Sequence, residues 1–164
     1  MAVAISGIST LGVIFSYGVE TVSGQKPSTF HQLPRCNSIS GIDLDVEKID
    51  SSALEDLQTR YVAGRQDTGG DWTVTFNLTN ETIPLIEAMM TSSATALASS
   101  KRTWFQVSSP NLTKAFFVVG QAGSKVPMPD VSQNELFTGE ISIAIDEYIG
   151  LDTKVAPTEA SSST

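Results

Sequence analysis

One cysteine, Cys36, and one histidine, His31, are all the chain has of either residue, and that scarcity excludes a good deal. No intrachain disulfide can form. A zinc site needs several His and Cys ligands. A Ser-His-Asp triad would have to run through His31. That residue follows "KPSTF", a Pro/Ser/Thr stretch that reads as loop, so no catalytic role is expected of it. Cys36 is expected to pack as a small apolar residue rather than act as a reactive thiol. Basic side chains are scarce as well: 10 Lys and Arg face 18 Asp and Glu, a net charge of −8. Proteins that wrap nucleic acid neutralise phosphates with Lys and Arg, so that class is excluded. A place near nucleic acid where repulsion is useful stays open.

Long apolar runs are missing too. Nothing approaches the roughly 18 consecutive apolar residues of a membrane span, and no membrane partner is expected. The apolar start "MAVAISGISTLGVIF" has no Lys or Arg ahead of it and is interrupted by Gly7, Ser9 and Gly12, so it is not read as a secretory leader. Sequons at Asn77, Asn80 and Asn111 are then read as chance matches.

What is present is a chain of 164 residues and 17.5 kDa, the size of one domain. Surface scaling lets a chain of this mass bury roughly 69% of its unfolded surface, enough for a core without staples. Period-two alternation dominates. Leu11 to Val19, Ile42 to Glu47, Trp72 to Leu78, Arg102 to Val107, Ala115 to Gly120 and Leu136 to Tyr148 all read as strands. Such a set predicts a mainly β, antiparallel sandwich or barrel-like fold. Two helices are expected on its flank. "IDSSALEDLQTRYVAG" (residues 49–64) opens on a capping box, Ser52 with Glu55, carries Leu54, Leu57 and Tyr61 as a stripe, and ends on Gly64. "ETIPLIEAMMTSSATALAS" (81–99) has Pro84 near its start and Ile83, Ile86, Met89 and Met90 at helical spacing. Residues 1–152 are read as one domain and 153–164 as a disordered tail with little to bury.

Two constellations resemble chemistry. Asp67-Thr68-Gly69 is the tripeptide of aspartic proteases, which need two copies sharing one proton. Here there is one copy, after a predicted helix end, and Gly69-Gly70 favour positive φ, so a turn is predicted. From Asp43 to Asp56 run six acids, Asp43, Asp45, Glu47, Asp50, Glu55 and Asp56. A calcium loop of EF-hand type needs Gly at its sixth position, where Lys48 stands. A solvated acidic face fits better. No catalytic, cofactor-binding or metal-binding residue is expected.

Taken together, "EKIDSSALEDLQTRYVAGRQDTGGDWTVTFNLTNET", the preceding "KPSTFHQLPRCNSISGIDLD" and the later "KRTWFQVSSP" and "VPMPDVSQNELFTGEISI" resemble a siphovirus-type phage tail tube protein, or major tail protein, over residues 8–152. The resemblance implies a β-sandwich or barrel-like core with a flanking helix, assembled as hexameric rings that stack into a hollow tube. It implies location in the virion tail, with host cytoplasm during assembly. The implied partners are the chain itself, a tape-measure protein inside the tube, and tail terminator and distal tail proteins. DNA would pass through the lumen without specific binding. It also implies no catalytic residues, and a contact loop around residues 40–70 that touches neighbouring subunits and rings. The stretch after Thr153 is read as leaving no room for the C-terminal immunoglobulin-like domain of some relatives. At −8 per subunit, six copies carry −48, and like charge disfavours a grip on phosphate. An Hcp-type secretion-tube protein and a generic β-sandwich binding module on a virion or cell surface are the alternatives. An enzyme is disfavoured by the scarcity of His and Cys.

Overall fold

The computed structural model describes residues 7–159. Among them nine strands and one helix follow in the order β1 (Ile14–Val19), β2 (His31–Leu33), β3 (Cys36–Ile39), β4 (Asp45–Asp50), β5 (Tyr61–Asp67), β6 (Asp71–Asn77), α1 (Thr82–Ala98), β7 (Thr103–Ser108), β8 (Lys114–Ala122) and β9 (Thr138–Thr153). Seven strands form one antiparallel sheet, β2-β1-β7-β8-β9-β6-β3, while β4 and β5 pair only with each other. The mainly β, antiparallel class predicted from alternation is therefore the class observed.

The large sheet curls on itself. Its two edge strands, β2 and β3, are joined by Pro34 and Arg35 alone, so its ends lie within about 11 Å of each other. The core confirms the curl. Phe15 of β1 meets Trp72 and Phe76 of β6 at ring separations of 5.7 and 5.6 Å, although four places separate those strands in the sheet order. Phe15 also stacks on Phe105 of β7 at 5.8 Å. The alternation of β6 is the reason: Trp72, Val74 and Phe76 point in, and Asp71, Thr73, Thr75 and Asn77 point out.

Helix α1 presents Ile86, Met89, Met90, Ser93 and Ala96 to this core, a stripe at helical spacing. Its start is closed by Thr79, whose Oγ1 accepts from the Glu81 and Thr82 amides at 3.2 and 3.1 Å, and Pro84 falls in the first turn. Ser100 is the left-handed residue beyond its end, with φ 57°.

The other face of β1, β7 and β8 is buried as well. Phe30, Trp104, Ala115, Phe117 and Val119 form a second cluster, packed against Val155. Of the stretch expected to be a tail, residues 153–159 pack here, while residues 160–164 lie outside the described part, as do 1–6 of the apolar start. The cause is Gln106, fully buried on β7, whose amide needs both a donor and an acceptor. Val155 supplies them: its N–H donates to Gln106 Oε1 at 3.1 Å and its carbonyl accepts from Nε2 at 2.8 Å. Thr158 then extends β2, accepting from the Gln32 amide at 3.0 Å.

The first of the two expected helices is absent. Residues 49–64 fall instead on β4, a loop and β5. A lone helix of this length is marginal in water unless its apolar stripe packs, and no wall faces Leu54 and Leu57. Ile49 and Tyr61-Val62 are β-branched or aromatic, and they pair across the hairpin, Ile49 opposite Val62 and Asp50 opposite Tyr61. Ser52, read with Glu55 as a capping box, instead closes the loop together with Asp56. Ser52 Oγ accepts from the Arg60 amide at 2.8 Å, and Asp56 Oδ2 from the Ala53 amide at 2.8 Å. Gly64, expected to end the helix, lies within β5, where a Cβ would press on Glu47 and Ile49.

Candidate assembly interface

The β4–β5 hairpin is an arm. Every residue of β4 is exposed, and in β5 only Gly64 is partly covered. A two-stranded ribbon is marginal by itself, because it has no third strand or helix to bury a face. This one nonetheless shows Val46, Ile49, Tyr61 and Val62 to solvent, and at its tip Leu54 and Leu57 are 109% and 102% exposed. Ile49 and Val62 share one face of the ribbon and Tyr61 lies on the other, interleaved with acids, which makes the arm a candidate for a protein–protein contact. The stretch around residues 40–70, expected as a contact loop, has the form of a β-arm.

The arm's root is tied to the sheet by hydrogen bonds. Ser40 N donates to Thr73 O at 2.9 Å, Trp72 Nε1 donates to Ser40 O at 2.8 Å, and Thr73 N donates to Ser40 Oγ at 3.0 Å. On the return side Ile145 N donates to Gly70 O at 2.7 Å. Asp67 sits at this return. Its Oδ1 accepts from Gly69 N at 2.9 Å, and Gly69 and Gly70 both have φ 80°. The predicted turn is the one observed, although a strand and not a helix leads into it, and the carboxylate is engaged in holding that turn.

Beside the root lies the open mouth of the curled sheet. A hollow of about 220 Å³ is lined by Ile39, Ile42, Trp72, Val107, Phe116 and Tyr148 among others. A second, of about 200 Å³, shares Val107 and Phe116 and adds Ile8, Val13 and Leu112. Together they make one apolar trough. Its rim is basic. Lys114 shares a face of β8 with Phe116, and Lys154 Nζ reaches the Ser109 and Leu112 carbonyls at 3.1 and 3.2 Å.

A third surface is polar. The outward residues of β6 lie beside those of β9: Asp71 opposite Ala144, Thr73 opposite Ser142, Thr75 opposite Glu140 and Asn77 opposite Thr138. Neither strand contains a Lys or Arg. Hydroxyls and carboxylates, with the Asn77 amide and the Ala144 methyl, therefore make up this wall.

Glu20, Cys36 and His31 are held in contacts within the fold. Glu20 is 1% exposed just beyond β1. Burial alone would raise its pKa, but hydrogen bonds outweigh it and hold the carboxyl below its ordinary 4.5. Trp104 Nε1 donates at 2.7 Å, the Gly24 and Arg102 amides at 3.0 and 3.1 Å, and Arg102 Nε at 3.1 Å. Arg102 also reaches Asp146 at 3.3 Å and Glu147 at 2.9 Å, so the group clasps the 20–30 segment to β7 and β9. A carboxylate so fully engaged has no lone pair left for a substrate. Cys36 is half-buried against the core, and burial pushes its thiol up to about 11, which keeps it protonated and inert. His31, read as loop, is on edge strand β2, where its ring lies tilted against Tyr17 at 5.6 Å and its Nδ1 lies 3.4 Å from Thr158 Oγ1. Among the described residues no three His, Cys, Asp or Glu side chains gather as a metal-binding group, and no helix is long and apolar enough to cross a membrane.

Strands β2 and β3 were not legible as such. Leu33, Cys36 and Ile39 are their only apolar signal, and Pro34 divides it.

No protein-family model and no curated protein matches the sequence. Solved structures do. A chain from the tail of an empty GTA particle, obtained by helical refinement with C6 symmetry, is similar over 90% of this chain and 99% of its own, at 13% identity and a TM-score of 0.56. A chain from the anti-feeding prophage (AFP) baseplate, six-fold symmetrised, is similar over 88% of this chain and 95% of its own, at 8% identity and a TM-score of 0.51. At such identities the likeness is one of fold: a tail-tube-like antiparallel β structure with a flanking helix.

Proposed function

We propose that the chain is a structural, non-catalytic subunit of a phage tail, and specifically of a non-contractile tail tube. In this reading six copies close a ring, and rings stack around a tape-measure protein into a conduit through which DNA is ejected. Tail terminator and distal tail proteins cap its ends. The observation that carries the reading is the arm: a β-ribbon held at a fixed root, with apolar residues that its own subunit leaves exposed. Such a ribbon is stable when a neighbour covers it. The fold likeness to a chain of a C6-symmetric tail supports the ring and its order.

The basic-free wall of β6 and β9 suits the lumen. Phosphates are gripped by Lys and Arg, and a hydroxyl and carboxylate wall lets the strand pass.

A second reading, a subunit of a baseplate ring, is favoured by the likeness to the AFP baseplate chain. Negative-stain imaging of purified protein separates the two. Hollow tubes with six-fold cross-sections are expected, whereas single rings that never stack favour the baseplate. Protein that remains monomeric at high concentration, and also when co-produced with its neighbouring structural genes, would overturn both.

A further inference from the structure

The arm tip and the apolar trough are complementary in three respects. The tip offers two leucines that nothing in their own subunit touches, and the trough offers hollows of about 220 and 200 Å³. A cavity of roughly 150 Å³ already accepts a benzene-sized apolar group, so each hollow accommodates a leucine side chain. The tip carries Glu55 between its leucines, without an ion-pair partner among the described residues, and the trough rim carries Lys114. The arm leaves its own subunit beside that subunit's trough, since Gly41 and Ile42 line the hollow. Its paired strands then carry the tip about 20 Å further, too far to fold back.

We propose that Leu54 and Leu57 of one copy dock into the trough around Val107 and Phe116 of the next copy, with Glu55 set against Lys114 of the rim. The occupant is thus a second copy of this chain. Tip and trough are different surfaces, so the contact is head-to-tail, and such contacts close into rings when the rotation permits. The inference rests on the self-assembly reading above and names its acceptor site.

The test uses the full chain with Cys36→Ser as background, carrying Leu57→Cys and Phe116→Cys. Assembled material is treated with a short bismaleimide and run on a denaturing gel. A ladder reaching six copies is expected. The control pairs Leu57→Cys with Leu97→Cys, an exposed position on α1, and is expected to give no ladder. Normal rings or tubes with no ladder from the Leu57/Phe116 pair would overturn the docking site and leave the tube reading intact. Absence of any assembly by the unaltered protein would remove both. Charge exchange gives a second readout. Glu55→Lys is expected to raise the concentration needed for assembly about three- to ten-fold, and adding Lys114→Glu to restore it. A Lys114→Glu change that deepens the Glu55→Lys defect would equally overturn the pairing.

Discussion

Trp72 donates its indole N–H to the Ser40 carbonyl at 2.8 Å, and that bond fixes where the arm leaves the body. The ring is 2% exposed and packs on Phe15 and Phe105, so its N–H is aimed by the core itself. Arm direction is thereby coupled to core packing.

Trp72→Phe keeps an aromatic ring in the core and deletes the donor. The lost bond costs about 1 kcal/mol, which lowers the melting temperature by roughly 2–4 °C for a chain of this size. The specific signature is faster amide hydrogen exchange at residues 40–44. Unchanged exchange there would mean that the arm's root is held by its backbone bonds alone.

Truncation after Thr153 removes the partner of Gln106 and uncovers the Trp104–Phe117 cluster. Leaving that buried amide unsatisfied costs about 1–3 kcal/mol before any loss of apolar burial. Thermal melting of the truncated protein should show it, and a melting temperature equal to that of the full chain would restore the view of this stretch as an unpacked tail.

The Glu20 clasp makes stability depend on pH with a definite sign. Its folded pKa lies below the ordinary 4.5, so the unfolded chain binds the proton more readily. The contribution is complete above about pH 4.5 and is lost as pH falls through the depressed folded value. Glu20→Gln should cost roughly 2–3 kcal/mol at neutral pH and flatten this acid limb. Denaturant titrations at several pH values below neutrality measure both, and an acid limb as steep as before would assign the effect elsewhere.

Thr75→Lys with Glu140→Lys places paired cations on the β6–β9 wall. Tubes of normal length are expected, with DNA delivery slowed and the defect relieved by added salt, because salt screens exposed charge. Delivery at the normal rate, or a structure showing this wall outside the lumen, would contradict the assignment.

Asp67→Asn retains an acceptor for Gly69 N–H and therefore the turn. No peptide-hydrolysing activity is expected from either protein. Hydrolysis by the unaltered protein that vanishes in Asp67→Asn is the result that would reinstate a protease.

The sequence by itself determined the β class, because alternation such as Trp72, Val74, Phe76 against Thr73 and Thr75 allows only one face to be buried. It also determined helix α1, whose first turn and apolar stripe agree, and the turn at Asp67–Gly70, where short-range hydrogen bonding and positive φ suffice. Each of these is local. Tertiary structure decided the rest. Residues 49–64 carry helix and strand signals of similar strength, and pairing of Ile49 with Val62 settled them once no wall was there for a helix to cover. Residues 153–159 look empty in isolation and pack on the sheet because a buried Gln106, 49 residues away, needs what Val155 supplies. The trough exists only because β3, β7, β8 and β9 meet at one end of the curled sheet, a juxtaposition that no short-range pattern encodes.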